Sequence, residues 1–443
     1  MYSGLSNIYK ERMKLPAQVR RLTGTLNGQP ITGKNIIANS AKILRQCSEK
    51  NDIQIGQVYI GQLDITLTNV SIPWRQLKGK EIVLYEGLWI DRSEEREESY
   101  WDDVELGHFF ISDAPSSVMG YECTCYDAMS KFDKNMGTHN PTGTSKTLYQ
   151  LISLACTQCG VTLGMTQTQI NNMPNGNETL VVYGEDNDME TYQDLISWCA
   201  QTMGANALIN RSGQLVFKKY DAVSSVVETF TAKDRIGNSG KCSSFETFYT
   251  GISMVNIDES TTSYYGLNPD NGSVMNLGSN PLLQPYEGQT EQQLETKRRR
   301  ILTAISNINY TPFDGIRLNR PCVYDLMDVV ELTGGILGNS VDIYGCITKY
   351  EWTLLGGMKI QGAGANPALA SAKSKTDKNI VGLKKSEEKT KNEVKDTKDT
   401  VSTLTETVTI IEHEVENKIT YGTSDLTPGS SCLETGYIYL VYE

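Results

Sequence analysis

The chain has 443 residues, 39% of them hydrophobic, and a formal net charge of −12. This length predicts about three folded units with extensions, and the acidic balance argues against a general nucleic-acid binder. No apolar run is long enough to cross a bilayer and residues 1–15 are charged and polar, so we expect no signal peptide, no membrane span and synthesis in the cytoplasm.

Residues 1–15 are predicted as an N-terminal arm or short helix, and residues 16–134 then alternate like strands. Asn27-Gly28 is a strong signal for a two-residue hairpin turn between residues 19–26 and Ile31. Further strand patterns lie at 54–70, 81–85, 108–112 and 120–126. Several short strands with little helix predict a β-barrel or sandwich.

The acidic stretch from Asp91 to Glu105 lies between two of these strands. Its composition predicts a long solvated hairpin loop. A calcium site is the alternative, although the stretch lacks a spaced set of oxygen ligands.

Residues 135–221 contain an internal duplication. Apolar positions 44 residues apart place the same pattern on one face of two predicted helices: Leu148, Leu151, Ile152, Ala155 and Cys159, then Tyr192, Leu195, Ile196, Cys199 and Met203. Thr144 and Asp188 are the predicted N-caps, and Gly160 and Gly204 the C-terminal stops. A predicted hairpin follows, with strands 205–210 and 214–220 around the turn 211–213. The segment therefore reads as a small α+β insert with two related halves.

Residues 222–365 return to β character. Strand patterns lie at 226–230, 248–257, 325–332, 340–350 and 352–362, with a helix predicted at 291–308. Residues 258–289 are rich in Asn, Gly, Ser, Pro and Tyr, which predicts a long loop that needs a partner to become fixed. The segment therefore indicates a second β domain interrupted by a helix.

A polar linker, residues 366–379, precedes a heptad pattern at 380–418. Its aliphatic seam consists of Ile380, Leu383, Val394, Val401, Leu404, Val408, Ile411 and Val415. Such a seam predicts a coiled coil of two or three chains, while Glu387 and Thr390 leave a solvated or disordered tail as the alternative. The terminal module, 419–443, ends in the strand-like run 436–443, which we expect to pair with its own copies or another component.

Catalytic and metal chemistry has little support in this sequence. Its three histidines, His108, His139 and His413, accompany no nucleophile elbow, phosphate loop or dinucleotide fingerprint. The best zinc candidate combines Cys123 and Cys125 with Cys156 and Cys159, but the second pair falls inside a predicted helix. The ten scattered cysteines predict free thiols. The basic run 297–300 points all round a helix and is predicted to be solvated surface or an interface with an acidic partner. We therefore predict no catalytic, cofactor or metal site.

Three stretches resemble the hub or tail-tip proteins of siphophages, contractile tails and tail-like bacteriocins (tailocins) from Gram-positive hosts. Residues 191–217 are similar to the helix, Gly stop and hairpin of the hub insert domain. Residues 328–332 with 345–352 are similar to the end of the second tube domain. Residues 421–429 with 433–442 look like a terminal module of prophage tail proteins.

The resemblance implies a mainly β fold with two tube-like barrel domains, at 16–134 and 222–365, an α/β insert, a coiled coil and a short β terminus. It also implies a homotrimer, whose pseudo-sixfold ring joins the tail tube or distal tail protein to a spike, fibre or other baseplate protein. The expected location is the tail tip of a virion or phage-like particle. Many relatives carry a peptidoglycan-cleaving domain, and the stretch after Ala365 is too short for one, so we expect no enzyme.

Two other functions stay open. One is a receptor- or cell-wall-carbohydrate-binding tail protein that contacts the host surface through aromatic side chains. The candidate contact residues are Tyr264, Tyr265, Tyr286, Tyr437 and Tyr439. The other is a peptidoglycan hydrolase.

Overall fold

The computed structural model describes residues 1–2, 4–48, 52–93, 97–183, 189–237, 239–257, 261–333 and 342–364, and the backbone of 419–422 and 438–441. The chain divides into two units, residues 1–377 and 378–443. Over the described residues the fold is mainly β, with five α-helices. None of the described helices is long and apolar enough to span a membrane.

The N-terminal region contains one helix and eight strands. Their bounds are α1 Asn7–Arg12, β1 Arg20–Leu26, β2 Gln29–Ile31, β3 Lys42–Gln46, β4 Gln62–Leu67, β5 Glu81–Ile90, β6 Tyr100–Asp113, β7 Ser116–Ser117 and β8 Gly120–Tyr126. The hairpin between β1 and β2 is confirmed, because Asn27 and Gly28 both have positive φ (50° and 78°), as the tight turn requires. The predicted arm or short helix contains α1, and Tyr9 and Met13 pack into the core.

The predicted acidic loop is shorter than expected, because residues 100–105 belong to β6. Trp101 pairs across the strands with Trp89, with ring centroids 5.2 Å apart. Arg21 on β1 lies 2.7 Å from the Asp103 carboxylate. These cross-strand contacts hold residues 100–105 in the sheet, although their acidic composition predicted a solvated loop.

The insert contains the two duplicated helices. Its elements are β9 Ser145–Thr147, α2 Leu148–Cys159, α3 Gln167–Asn171, β10 Thr179–Val181, α4 Tyr192–Thr202, β11 Asn206–Ile209 and β12 Leu215–Lys218. The predicted apolar faces are buried, apart from the half-buried Cys159, and β11 and β12 form the predicted hairpin. Gly160 and Gly204 end the helices as predicted, each with φ near 62°.

The predicted N-caps of α2 and α4 are wrong by three residues. Thr147 and Thr191 are the caps, and each hydroxyl accepts from the N–H three residues on at 3.3 Å. The side chains at those positions, Gln150 and Asp194, accept in return from the threonine N–H. These reciprocal capping boxes are 44 residues apart and outcompete Thr144. Asp188 lies outside the described residues.

The C-terminal β region adds a helix and twelve strands. Their bounds are β13 Val226–Phe230, β14 Lys241–Cys242, β15 Thr247–Phe248, β16 Gly251–Asn256, β17 Thr261–Gly266, β18 Val274–Asn276, α5 Glu291–Ile305, β19 Asn309–Tyr310, β20 Phe313–Leu318, β21 Val329–Leu332, β22 Ile343–Cys346, β23 Lys349–Thr353 and β24 Gly357–Gly362. The predicted loop 258–289 contains β17 and β18, which pair with opposite edges of the buried β16. Hydrogen bonds to β16 therefore order a segment whose composition indicated a loop.

One sheet joins the two β regions, in the order β14-β20-β24-β23-β3-β4-β8-β6-β5-β1-β2, with β7 beside β8. The join is the antiparallel pairing of β3 with β23, from Lys42 opposite Thr353 to Gln46 opposite Lys349. Among the described strands no pairing closes this order, so the predicted barrels are not confirmed. One hydrophobic core spans both β regions, and a second core fills the insert.

The basic run on α5 is a correction to the sequence analysis. Arg298 is fully buried and Lys297 is nearly so, whereas Arg299 and Arg300 face outward. The Arg298 guanidinium donates to the Leu283 carbonyl oxygen at 2.7 Å and to Asn256 Oδ1 at 2.7 Å. Half of the run is thus structural rather than solvated surface.

The second unit is described only as a parallel pair of strands, β25 Ile419–Gly422 and β26 Ile438–Val441. The predicted terminal strand therefore pairs within its own chain, whereas we expected another copy or component. The heptads 380–418, with all eight seam residues, lie outside the described residues, and the coiled coil stays a prediction.

Candidate assembly surface

The three most exposed large apolar side chains of the described residues lie in two hairpin turns. Val118 and Met119, between β7 and β8, are 105% and 64% exposed, and Leu355, between β23 and β24, is 70% exposed. We call these turns the two apolar tips. Turns in water normally carry polar residues, so two apolar turns in one molecule indicate a contact surface.

A hydroxyl side chain fixes each tip. Ser117 Oγ accepts a hydrogen bond from the Met119 N–H at 3.3 Å, and Thr353 Oγ1 accepts one from the Gly356 N–H at 3.1 Å. Such local bonds hold a turn in one conformation. The apolar side chains are therefore presented from ordered turns.

A glycine then places each tip against the neighbouring strand. Gly120 has φ 143° and Gly357 has φ 64°. An added Cβ would overlap the Leu67 carbonyl oxygen at the first position and the Leu318 carbonyl oxygen at the second. Both positions require glycine for conformation and for space.

The strand register places both tips at the same end of the shared sheet. Thr353 lies opposite Lys42, Lys42 opposite Asp64, and Asp64 opposite Thr124. One tip follows Thr353 and the other precedes Thr124. Three strand steps separate β23 from β8, which is about 14 Å at the usual spacing.

A fourth exposed apolar side chain lies at the same end of the sheet. Trp74 is 47% exposed on the connection that leaves the same end of β4, and the Arg75 guanidinium lies 5.1 Å from its ring centroid. The buried Leu77 anchors the connection. We define the candidate assembly surface as Trp74 and the two apolar tips.

Arg211 ties the insert to both β regions. Its guanidinium donates to Asp325 Oδ1 at 2.8 Å and to the carbonyl oxygens of Cys322, Glu105 and Tyr324 at 2.6 to 3.2 Å. Burial, the strongest single influence, acts to raise the pKa of Asp325, but the charge and hydrogen bond of Arg211, the N-terminal amine and Lys218 together hold the pKa below its usual range. From the sequence, Arg211 is an ordinary turn residue. Nothing in the local sequence indicates that its side chain binds residues more than 100 positions away in the chain.

Glu86 on β5 is a second buried charge that connects the two β regions. Its carboxylate accepts from the Cys322 N–H at 2.7 Å and lies 3.3 Å from Arg20. Burial raises its pKa to about 7, against the opposing effects of Arg20 and the Cys322 N–H. The carboxylate connects β5 to the segment that precedes β21.

His108 on β6 is held between two carboxylates. Its Nδ1 lies 2.9 Å from Glu81 Oε1 and its Nε2 lies 3.0 Å from Glu105 Oε1. The hydrogen bond to Glu105 is the main cause that raises the pKa of His108. Ser212, in the insert hairpin, donates to Glu105 Oε2 at 3.1 Å. This cluster attaches the hairpin turn to the sheet.

Of the five predicted contact tyrosines, the structure describes the side chains of three, Tyr264, Tyr265 and Tyr286. Tyr265 is 8% exposed and accepts a hydrogen bond from Arg298 at 3.0 Å, so it is a structural residue. Tyr264 and Tyr286 are half-buried. Tyr437 lies outside the described residues, and of Tyr439 only the backbone in β26 is described. The signal that sequence reasoning missed was the apolar pair Val118 and Met119, which lies between the predicted strands 108–112 and 120–126.

The zinc candidates lie in separate cores. Cys123 and Cys125 belong to the core of the β regions and Cys156 to the core of the insert, beside the half-buried Cys159. Burial raises the pKa of Cys123 and Cys156 to about 12, which disfavours thiolate ligands. Within the described residues no group of three or more His, Cys, Asp and Glu could hold a metal ion. His139 lies in an exposed turn, and His413 lies outside the described residues.

No protein-family model and no curated protein matches the sequence. Similar solved structures include the 43 kDa tail protein of prophage MuSo2 from Shewanella oneidensis, at 13% identity and a TM-score of 0.45, covering 79% of this chain and 99% of that one. A tail protein from Neisseria meningitidis MC58 has 10% identity and a TM-score of 0.45, and the match covers 78% of this chain and 96% of that one. Prophage tail protein gp18 from Listeria monocytogenes EGD-e has 10% identity and a TM-score of 0.45, covering 81% and 98%.

Proposed function

We propose that the chain is a non-enzymatic structural hub of a phage or phage-like tail. In this proposal three copies form a pseudo-sixfold ring at the tail tip, which joins the tail tube to a spike or fibre. The observation that carries the proposal is the pair of apolar tips at one end of the shared sheet. Each chain offers two neighbouring tips, so a ring of three chains offers six and matches a sixfold tube.

The rigid body behind the tips supports this role. The β3–β23 pairing makes one sheet of the two β regions, and the bonds of Arg211 and Glu86 connect the regions at further points. A subunit that transmits force between a tube and a spike needs its two contact points at a fixed separation. The strands that carry the two tips lie three strand steps apart across the sheet.

Absolute mass in solution, measured by light scattering, tests the ring. We expect three times 49.2 kDa for the full chain, and class averages in electron micrographs with six lobes. A mass of one or two chains would contradict the trimer. A trimer that survives truncation after Asp377 would locate assembly in residues 1–377, and a drop to monomer would assign it to the predicted coiled coil.

Charged substitutions test the tips separately from the ring. Met119→Asp combined with Leu355→Asp should leave the mass unchanged, because in this proposal the tips face the next tail component. In the strain that encodes the chain, the same variant should reduce the number of complete tails in micrographs. Val19→Asp is the matched control, since Val19 is 62% exposed but lies outside the tips. Normal tails with the tip variant would remove the tips from the proposal.

A further inference from the structure

The end of the sheet that holds the apolar tips has cationic connections without acidic residues. The connections at this end are residues 27–28, 32–41, 68–80, 114–119 and 354–356. Their charged side chains are all Lys or Arg: Lys34, Arg75, Lys78 and Lys80. Because the whole chain has a net charge of −12, the charge at this end is opposite in sign to that of the chain as a whole.

Hydrogen bonds hold these cationic connections side by side. The Thr68 N–H donates to the Asn35 carbonyl oxygen at 2.8 Å, and the Gly79 N–H donates to the Ile111 carbonyl oxygen at 2.7 Å. The first bond places Lys34 beside the connection between β4 and β5, and the second attaches that connection to β6. The four cations therefore lie at the same end of the sheet as the candidate assembly surface.

These cations have no acidic partner within the described residues. Three of the four side chains are exposed, those of Lys34, Arg75 and Lys78, and the fourth is half-buried. None of the four forms an ion pair in that part of the chain, whereas Lys42 on β3 lies 3.3 Å from Glu351. Against a neutral protein surface the unpaired cations would lose hydration without compensation. They therefore favour a partner that supplies carboxylates.

The far end of the long β5–β6 hairpin has the opposite charge. Its connection, residues 91–99, contains five acidic residues and two arginines, and one of these, Arg92, is paired with Glu97. Strand β5 has ten residues, so the two ends lie about 30 Å apart. This separation of charge orients the subunit, because an acidic partner is attracted to the end with the tips and repelled by the other.

We propose that the candidate assembly surface docks on an acidic face of the next tail protein, whose carboxylates surround apolar pockets for Trp74 and the two apolar tips. Apolar side chains inside a charged rim are the usual composition of a protein interface. Ordered tips at a fixed spacing are an advantage only against a partner of fixed shape, which a nucleic acid backbone or a fluid bilayer is not. The inference rests on the proposed function, in which this surface faces the next tail component, and adds the chemistry of that component.

Carbodiimide crosslinking of complete tails, from the strain that encodes the chain, tests the proposal. The reagent joins a lysine amine directly to a carboxylate that it contacts. Mass spectrometry of the digested tails should find Lys34 or Lys78 linked to Asp or Glu of a different tail protein. The Lys14–Glu228 pair, at 3.0 Å, should be linked in the same sample, which establishes that the reagent has reacted. If that pair is linked while Lys34 and Lys78 are not, or are linked only to another copy of this chain, the proposal is refuted.

Charge reversal separates this chemistry from the apolar contacts. Lys34→Glu combined with Lys78→Glu should reduce the number of complete tails in micrographs at least about tenfold. Lys219→Glu combined with Lys233→Glu is the matched control, since it changes the net charge equally at two exposed positions outside the surface and should leave tails normal. Both double variants should keep the wild-type mass and melting temperature, which excludes misfolding. Equal numbers of tails for the two pairs would overturn the proposal.

Binding assays with the full chain separate a protein partner from other polyanions. At physiological ionic strength neither duplex DNA nor vesicles containing phosphatidylglycerol should bind. Binding of either one that Lys34→Glu with Lys78→Glu abolishes would assign the cations to that polyanion instead. Light scattering distinguishes this failure from that of the proposed function. A trimer without links to another tail protein refutes the acidic partner alone, whereas links from a chain that is monomeric in solution refute the ring alone.

Discussion

The two halves of the duplicated insert have the same helix in different surroundings. Both α2 and α4 begin at a threonine capping box, bury the same face and end at a glycine. They differ on the opposite side, near the C-terminal end. Thr157 is exposed in the first half, whereas its counterpart Gln201 is 8% exposed, and Thr202 is fully buried where Gln158 is half-buried.

The difference arises from neighbours outside the insert. Thr202 Oγ1 donates to the Trp198 carbonyl oxygen and accepts from Asn280. Asn206 is fully buried and bonds to Gln57, whereas its counterpart Thr162 is exposed. A repeated apolar face therefore specifies a helix, and polar residues off that face specify which copy docks against the rest of the molecule.

The largest difference between the halves is expected at Arg211. Arg211→Met leaves the partly exposed Asp325 carboxylate without its partner and three carbonyl oxygens without their buried donor, so it should lower the free energy of unfolding by about 3–5 kcal/mol. Its counterpart 44 residues earlier, Gln167, is exposed, and Gln167→Met should change stability by less than about 0.5 kcal/mol. Urea denaturation of both variants measures this. Similar losses would mean that the halves are attached alike.

Asn206 should give the next largest difference. Its side chain accepts from the Gln57 N–H at 3.0 Å and donates to Tyr220 Oη at 3.1 Å. Asn206→Ala leaves those groups unsatisfied in the interior, so we expect a loss of about 2–3 kcal/mol. Thr162→Ala, in the exposed counterpart, should cost less than about 0.5 kcal/mol. An equally small loss at Asn206 would show that water replaces its bonds.

The two helix stops should separate by a smaller amount. At Gly160 an added Cβ meets no atom within 4 Å, so Gly160→Ala should cost only the left-handed conformation, about 1 kcal/mol. At Gly204 the Cβ would lie 2.7 Å from Ala304 Cβ on α5, and repacking should raise the cost of Gly204→Ala to about 2 kcal/mol. Thermal melts of the two variants measure the gap. A gap of zero would mean that α5 moves away freely.

The insert was the most predictable part because its signals are local. Apolar spacing gave both helices and their faces, and Arg211-Ser-Gly213 gave the hairpin turn. The caps were misplaced because Thr144 satisfies the residue preference, whereas only Thr147 has a glutamine three residues later to complete the box. Local rules therefore find an element and leave its boundary open.

The assembly surface was not predictable from local rules. The apolar tips are neighbours only because β3 pairs with β23, more than 300 residues apart in sequence. Arg298 looked like solvated surface because charge alone does not reveal a buried carbonyl acceptor such as that of Leu283. Each is a tertiary property, which a periodicity in sequence does not encode.

The smallest expected effect concerns the pH dependence of the insert attachment through His108. Its pKa is raised above 6.5, chiefly by the hydrogen bond to Glu105 and also by Glu81. Protonated His108 therefore adds stability that is fully present below about pH 6.5 and is lost as the pH rises through the pKa of the folded state. Because the side chains are partly exposed, we expect an effect below about 1 kcal/mol.

Relative to His108→Gln, the wild type should be more stable at pH 5.5 and lose that advantage by pH 9. His139→Gln, in an exposed turn, is the matched control and should run parallel to the wild type. Parallel curves for His108→Gln as well would exclude this cluster as a pH-dependent attachment of the second half.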